Sequence, residues 1–374
     1  MRKKATLRLE NGMEFHGYSF GCDNLCCGDL VFNTSMAGYP ELLTDPAYSG
    51  QILCLTYPLV GNYGVPSEIL EAEELSRNFE SLKIHPAGLV VFDYCEDYSN
   101  WEAEKSLEQW MKEQGLPGIF GIDTRELTKL LRDNGPMHGT IIPEGQENKA
   151  SEAKEERRKA VPADVTCKGV TVYNARPAAD VRNANGNKVA VAQGKKIVLV
   201  DCGAKHSVIR GLLSRGAEVV RVPYDYDFTS LDYDGVYVSD GPGDPAACTE
   251  TVSIIRKAME SGRPVFGTGL GYLLMAIAAG CRTEMLKRPH RSANQPVRKE
   301  GSNRSFITSQ NAAYTIDRNT LPSGWEICYT NLNDGAADAI RHKELPFAGA
   351  QFNPEVCVGL DEDITLMDNF ISSL

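Results

Sequence analysis

The sequence predicts two α/β domains: an N-terminal β-rich α/β domain and a C-terminal domain built on a doubly wound, mostly parallel sheet. A chain of 374 residues is long for one hydrophobic core, so two domains are expected. Strand-like runs dominate the first half, whereas from Lys195 onward short apolar strands alternate with amphipathic helices. We place the first domain at residues 1–145, a charged and polar connector at 146–194, and the second domain at 195–374.

The first half begins with a predicted hairpin. Apolar and polar residues alternate on both sides of the turn-forming pair Asn11-Gly12 in ATLRLENGMEFHGYSFG. Further strands are expected in GDLVFNTS, GQILCLTYPLVGN and AGLVVFDY, and helices in WEAEKSLEQWMKEQG and DTRELTKLLRDNG. In the second of these helices, Asp123 or Thr124 can cap the first turn and Gly135 can end the last one.

The connector differs in composition from both neighbouring regions. The densely charged stretch EGQENKASEAKEERRKA begins two residues before it, and its second part, NARPAADVRNANGN, is polar and rich in turn-forming residues. A short basic group at 157–159 is interleaved with glutamates, which favours a solvated segment over one that binds nucleic acid.

The second half shows the alternation of strands and helices that is typical of an open parallel sheet. Strands are expected in KKIVLVD, EVVRV, GVYVS and PVFG, and helices in HSVIRGLLSRGA and TETVSIIRKAMESG. Ligands of such sheets bind at the carboxyl ends of the strands, so SDGPGDP and GTGLG are the expected ligand-facing loops.

Composition excludes several classes of protein. With 39 basic and 50 acidic residues the net charge is −11, which argues against nonspecific binding of nucleic acid. No apolar run approaches the roughly 20 residues of a membrane span, and no secretory apolar region follows the basic N-terminus.

Eleven scattered cysteines are expected to be free thiols, so the protein is expected to be cytoplasmic. The tight group Cys22, Cys26 and Cys27 has no second ligand pair, and we expect neither a metal site nor a cofactor.

The segment PVFGTGLGYLLMAIAAG, residues 264–280, reads as a strand that turns sharply into a helix. Such elbows carry nucleophiles or bind anions in α/β proteins. Here the turn contains three alternating glycines and no Cys or Ser at its point. Glycine adopts the positive φ of an elbow freely. Gly269 is therefore expected to keep the turn but to place no nucleophile at its point.

A larger set of motifs resembles the small subunit of carbamoyl phosphate synthetase, which hydrolyses glutamine and passes ammonia to a large subunit. The resemblance runs over almost the whole chain. It comprises VFNTSMAGYPELLTDPAYSGQI, LTYPLVGNYGV and GLPGIFGIDTRELTKLLRDNG in the first half, and VDCGAKHSVIRGLLSRGAEV, SDGPGDP, the elbow, HRSANQPV and QFNPE in the second. It implies a C-terminal domain of the class I glutamine amidotransferase type, a large-subunit partner, and a role in the pyrimidine and arginine pathways.

The family's Cys-His-Glu triad is largely replaced in this chain. Its Cys lies in an elbow written G-x-C-L-G-H-Q, and its His and Glu lie in H-P-E. Gly269 stands at the position of the Cys and Asn353 at that of the His, while Glu355 is retained. The resemblance thus implies that nucleophile and base are both missing, because an amide accepts no proton.

Positions that bind glutamine in the family have changed as well. Leu273 replaces the elbow's Gln, Ala47 replaces a first-domain Ser, and Gln310 to Tyr314 stand where the family has Q-N-H-G-F. The remaining positions implied as ligand-binding are Gly241, Gly243, Leu270, Asn311, Ala313 and Tyr314. In the family, the Gly241–Gly243 turn and the amide of Leu270 form the oxyanion hole, and here the turn is expected still to offer its N–H groups.

No other side chain is favoured as a replacement for the missing nucleophile, and the glycine pattern does not favour a dinucleotide site. Thr268 lies one residue early in the elbow, and Cys202 and Cys357 do not lie on it, so packing roles are expected. A dinucleotide site would need glycine at the position of Tyr272 and would follow the domain's first strand. We expect framework roles for a further set of four: Lys205, His206, His290 and Arg291.

Three functions remain open at this point. The first is a structural and regulatory subunit, a degenerate glutaminase that docks on a large subunit and supports synthesis from free ammonia. The second is a binder of a small molecule, or a changed enzyme, with a pocket rebuilt from Tyr272, Leu273 and Tyr314. The third is an active glutaminase, which the replaced triad positions speak against.

Overall fold

The structure of the chain, a computed structural model, describes residues 2–71, 74–148, 160–178, 190–353 and 366–374. The chain folds as two compact units, Met1–Ala160 and Val161–Leu374.

The first unit contains nine strands and three α-helices among its described residues. They are β1 Lys4–Leu9, β2 Glu14–Gly21, β3 Cys26–Asn33, α1 Tyr39–Thr44, β4 Gln51–Leu55, β5 Val65–Pro66, β6 Gly88–Val91, β7 Ala103–Lys105, α2 Leu107–Gln114, β8 Pro117–Phe120, α3 Thr124–Asn134 and β9 Met137–Pro143. Seven strands close into a barrel in the order β1-β2-β8-β6-β4-β3-β9. Leu7, Leu30, Ile52, Val90 and Ile119, from five of these strands, pack in one buried cluster.

The local predictions for this unit are confirmed with one correction. β1 and β2 form the expected hairpin, with Leu7 opposite Phe15. Asp123 caps α3 by accepting hydrogen bonds from the amides of Arg125 and Glu126 at 3.0 and 2.9 Å. The helix predicted from residue 101 begins only at Leu107, because β7 pairs with β5 before it and Ser106 supplies the cap.

The second unit contains ten strands and four α-helices among its described residues. They are β10 Thr171–Tyr173, β11 Lys196–Asp201, α4 His206–Ser214, β12 Glu218–Pro223, β13 Gly235–Val238, α5 Thr249–Glu260, β14 Val265–Thr268, α6 Leu270–Ala279, β15 Thr283–Lys299, β16 Ser305–Ile316, β17 Trp325–Asn331, β18 Ala337–His342, β19 Phe347–Ala350 and α7 Leu366–Ser373.

These ten strands form one sheet in the order β10-β12-β11-β13-β14-β19-β18-β17-β15-β16. The five strands from β12 to β19 in this order are parallel, as the alternation of strands and helices predicts. The strands on either side of them are antiparallel, an extension that the sequence pattern does not predict. Parallel pairing places the carboxyl ends of β13, β14 and β19 side by side.

The unit boundary falls inside the predicted connector. β10 lies within the 146–194 segment, yet it pairs with β12 through Val172 and Val220 and so joins the second unit's sheet. Residues 149–159 and 179–189 of that segment lie outside the described residues. The described remainder is therefore partly an edge of the second sheet.

Candidate functional site

The elbow has the geometry that the glycine pattern predicts. β14 ends at Thr268, Gly269 has φ 52° and ψ −116°, and α6 begins at Leu270. The amide of Gly269 donates to the carbonyl of Ala350 at the end of β19, 3.0 Å away. A side chain at this φ would be strained, so glycine relaxes the turn.

The two flanking glycines serve close packing. A Cβ on Gly267 would lie 2.5 Å from the carbonyl oxygen of Gly271, and a Cβ on Gly271 would lie 2.2 Å from that of Val238. A nonbonded carbon and oxygen cannot come this close, so β14 and α6 can pack at their observed distance only with glycine at both positions. The alternating glycines therefore have a packing explanation that needs no phosphate ligand.

The point of the elbow is filled by the carboxylate of Asp240. Its Oδ1 atom accepts hydrogen bonds from the amides of Gly241 and Leu270, both at 2.8 Å. A Cβ built on Gly269 would lie 2.1 Å from the same atom. Asp240 is 8% exposed. The expectation that the turn still offers free N–H groups is thus wrong for Gly241, because an internal carboxylate already binds its amide.

Position 353 lies close in the fold to strand β16. Asn353 follows the end of β19 by three residues, is 9% exposed, and donates its backbone N–H to the carbonyl of Ser309 at 3.2 Å. Its side-chain amide has no basic nitrogen, so it cannot serve as a general base. Glu355 and Cys357 lie outside the described residues.

The positions implied to contact glutamine are mostly engaged within the chain. Leu270 and Leu273 are buried in the second unit's core, and the Oδ1 of Asn311 accepts from Nη1 of Arg291 at 2.6 Å. Ala313 and Tyr314 are half-buried on β16. Gly243 has φ 118°, and Ala47 is buried in a short 3-10 helix of the first unit.

Tyr272 lies in the hydrophobic core. It is completely buried and its hydroxyl donates to the carbonyl of Ala337 at 2.7 Å. Leu273 and Tyr314 pack in the same cluster. The three residues of the rebuilt-pocket hypothesis therefore contribute to the core, which gives that hypothesis no support.

The groups considered as substitute nucleophiles are also packed. Thr268 is 2% exposed and its Oγ1 accepts from the hydroxyl of Tyr237 at 3.3 Å. Complete burial raises the pKa of the Cys202 thiol well above its usual value, which disfavours a thiolate. Burial, with the charges of Arg221 and Arg210, lowers the pKa of His206 to about 4.

A buried polar network surrounds His290 at the paired strands β15 to β18. Nε2 of His290 is 2.8 Å from Oδ2 of Asp334, and Nδ1 is 3.0 Å from Oε1 of Gln310. The amides of Gln310 and Asn331 donate to Oδ2 of Asp338 at 2.6 and 2.9 Å. Burial raises the pKa of Asp338 to about 6. Burial opposes protonation of His290, but its bond with Asp334 and the nearby carboxylates raise the pKa of the imidazole overall.

The raised pKa of Asp338 predicts a loss of stability as the pH increases from 4 to 7. The folded protein binds more protons than the unfolded chain in this window, so the free energy of unfolding falls as pH rises. Asp338→Asn is neutral throughout, so its unfolding free energy relative to the wild type should increase by about 2 kcal/mol between pH 4 and pH 7. Denaturant unfolding at each pH measures this difference. The control E284Q removes an exposed carboxyl of β15, and its unfolding free energy relative to the wild type should not change with pH. A pH-independent difference between D338N and the wild type would contradict the prediction.

In the part of the chain that the structure describes, no helix combines the length and the apolar composition of a membrane span. No group of three or more His, Cys, Asp or Glu side chains in the same residues is placed to hold a metal ion.

Each unit contains a segment that matches a known protein family. Residues 198–373 match the family model described as glutamine amidotransferase class-I, so the second unit contains a domain of that class. Residues 7–141 match the model described as the CPSase domain of the carbamoyl-phosphate synthase small chain. The chain thus joins these two domains and is carbamoyl-phosphate synthase small-subunit-like.

Similar curated proteins are much longer than this chain. A protein named carbamoyl-phosphate synthase [ammonia], mitochondrial, from Homo sapiens is 42% identical over 98% of the chain and 23% of its own length. Multifunctional protein pyr1-3 of Dictyostelium discoideum is 40% identical over 100% of the chain and 17% of its own length. Multifunctional protein CAD of Squalus acanthias is 40% identical over 98% and 16%. The chain therefore spans about a sixth to a quarter of these relatives.

Among solved structures, one that resembles part of this chain is a putative GMP synthase component from Thermoplasma acidophilum. The two are 24% identical, with a TM-score of 0.41, over 48% of this chain and 92% of the other.

Proposed function

We propose that this chain is a small-subunit-like component of carbamoyl phosphate synthesis that has no working glutaminase site of its own. It would act as a structural and regulatory partner of a large subunit. The observation that carries the proposal is the occupied elbow: Gly269 stands at its point, and the carboxylate of Asp240 binds the two amides beside it. A site without a nucleophile, and with its anion position filled, has no means of attacking an amide.

The nitrogen donor that follows from this proposal is free ammonia. Asn353 supplies no base at the position where the resemblance places the family's histidine. Three of the similar mammalian proteins carry the word ammonia in their names. We propose the same donor for the assembly that contains this chain, with a cytoplasmic location and a role in the pyrimidine or arginine pathway.

The first domain is the proposed contact surface for the large subunit. Its loop around NTSMAGYPELL is held at Gly38 and Tyr39, whose amides donate to the hydroxyl of Tyr63 at 2.8 and 3.0 Å. The rings of Tyr39 and Tyr63 stack with centroids 4.2 Å apart. Met36 on this loop is 76% exposed. A fixed loop that presents an apolar side chain loses little entropy on docking.

The test is to mix the purified chain with its cognate large subunit and compare ammonia with glutamine as nitrogen donor. We expect association at micromolar concentration and carbamoyl phosphate from ammonia alone. The variant M36E should weaken association, whereas I307E, at a half-exposed site in the second unit, should not. No association, or equal rates from the two donors, would refute the proposal.

A further inference from the structure

One carboxylate is bound by the two backbone amides to which the resemblance assigns the oxyanion hole. The N–H groups of Gly241 and Leu270 both donate to the same oxygen, Oδ1 of Asp240, at 2.8 Å. The same atom lies 2.1 Å from where a Cβ of residue 269 would be. The two amides of the implied oxyanion hole and the side-chain position of the implied nucleophile therefore all lie beside one atom, Oδ1 of Asp240.

Asp240 also completes the start of helix α6. The residue before that helix, Gly269, has no side chain to cap it, and Asp240 from the loop after β13 supplies the acceptor for the amide of Leu270. The next amide, that of Gly271, donates to the carbonyl of Ser239 at 3.1 Å. A carboxylate at a helix N-terminus is favoured by the helix dipole and forms charge-assisted hydrogen bonds.

We propose that Asp240 is a blocking residue: its carboxylate occupies the oxyanion hole, excludes both a ligand oxygen and a side chain at position 269, and positions α6. This deepens the proposed function, which rests on the same occupied elbow, but its tests use the isolated chain and need neither a partner nor a nitrogen donor, so the two can fail separately. A substrate carbonyl would have to displace Asp240 to reach the two amides. A developing oxyanion beside a retained carboxylate would be repelled by its charge.

A double-mutant cycle between positions 240 and 269 tests the exclusion of a side chain. In the wild-type background, G269A adds a strained φ and forces the carboxylate of Asp240 away from its two amides. In the D240G background only the strain remains, so G269A should cost much less there. We expect the coupling to be roughly tenfold in the unfolding equilibrium constant. Equal costs of G269A in both backgrounds would overturn the proposal; D240A replaces D240G if the latter does not fold.

Formate tests the occupation of the hole, because it is a carboxylate without a chain. D240G leaves the buried amide of Leu270 and the part-buried amide of Gly241 without their acceptor, so sodium formate should raise its midpoint of thermal unfolding more than equal sodium chloride does. The wild type should show no such difference. D123G is the matched control, since Asp123 also caps two amides, but at an exposed helix start where water replaces it. A formate effect equal in wild type and D240G, or equal in D123G and D240G, would overturn the proposal.

Discussion

Glutamine incubated with the purified chain is expected to release ammonia no faster than in buffer, and Gly269→Cys is expected not to change this. In hydrolases with a catalytic triad, removal of the nucleophile or the base lowers turnover by about a millionfold. This chain has neither group at the matching positions, Gly269 and Asn353. A thiol placed at 269 would have no base to activate it and would collide with the carboxylate of Asp240. The side-chain amide that binds glutamine in the family would also be missing, because Leu273 stands at its position.

The measurement is glutamine-dependent ammonia release, with G269A as the control that adds a side chain without a thiol. Labelling by a glutamine-analogue electrophile, mapped by mass spectrometry, gives a second readout. Labelling of the wild-type elbow would show that a nucleophile is present there. Hydrolysis above background by G269C alone would show that the site retains a base and a substrate pocket. Either result would contradict the prediction.

Asp201→Ala is expected to lower the free energy of unfolding of the second unit by about 3–5 kcal/mol. Asp201 is completely buried at the end of β11. Its Oδ2 accepts from Nε and Nη2 of Arg221 at 2.8 and 2.7 Å, and its Oδ1 accepts from the amides of Gly203 and Ala204 at 2.9 and 2.7 Å. Removing the carboxylate leaves a mostly buried guanidinium and two buried amides without their acceptor.

Hydrogen exchange of the β11 and β12 amides measures this loss within the second unit. E326Q is the matched control, because the pair of Glu326 and Arg341 is 2.6 Å apart with side chains 40% and 64% exposed. Solvent screens such a pair, so the control should change stability by no more than about 1 kcal/mol. If D201A changed stability as little as E326Q, the buried pair would not be a major support of the parallel sheet.

Local patterns were sufficient for several elements. The hairpin of β1 and β2 follows from alternation around Asn11-Gly12, and α3 follows from the cap at Asp123 and its apolar spacing. Helix α2 shows the limit of such patterns. Residues 103–105 continue the helical composition, but they form β7 because a partner strand, β5, lies beside them.

Long strand β15 could not be predicted from its residues. It contains Pro289 and Pro296, which normally argue against a strand because proline donates no ladder hydrogen bond. The register of β15 against β16 shifts between Met285 and His290 and again between Ser292 and Gln295. Pro289 lies within the first shift, whereas Pro296 stays in register opposite Ile307, and only the folded sheet supplies these partners.

The sequence by itself determined which chemical groups the elbow lacks. The residues at 269 and 353 are readable without coordinates, and glycine's freedom at positive φ was enough to predict the turn that the structure has. Only the tertiary structure decided what occupies the elbow. Asp240 lies 30 residues before Leu270, and the two meet because β13 and β14 run parallel and end side by side. The barrel closes where β1 pairs with β9, and this contact was also decided by the tertiary structure. Contacts between segments that are distant in sequence depend on the register of the whole sheet.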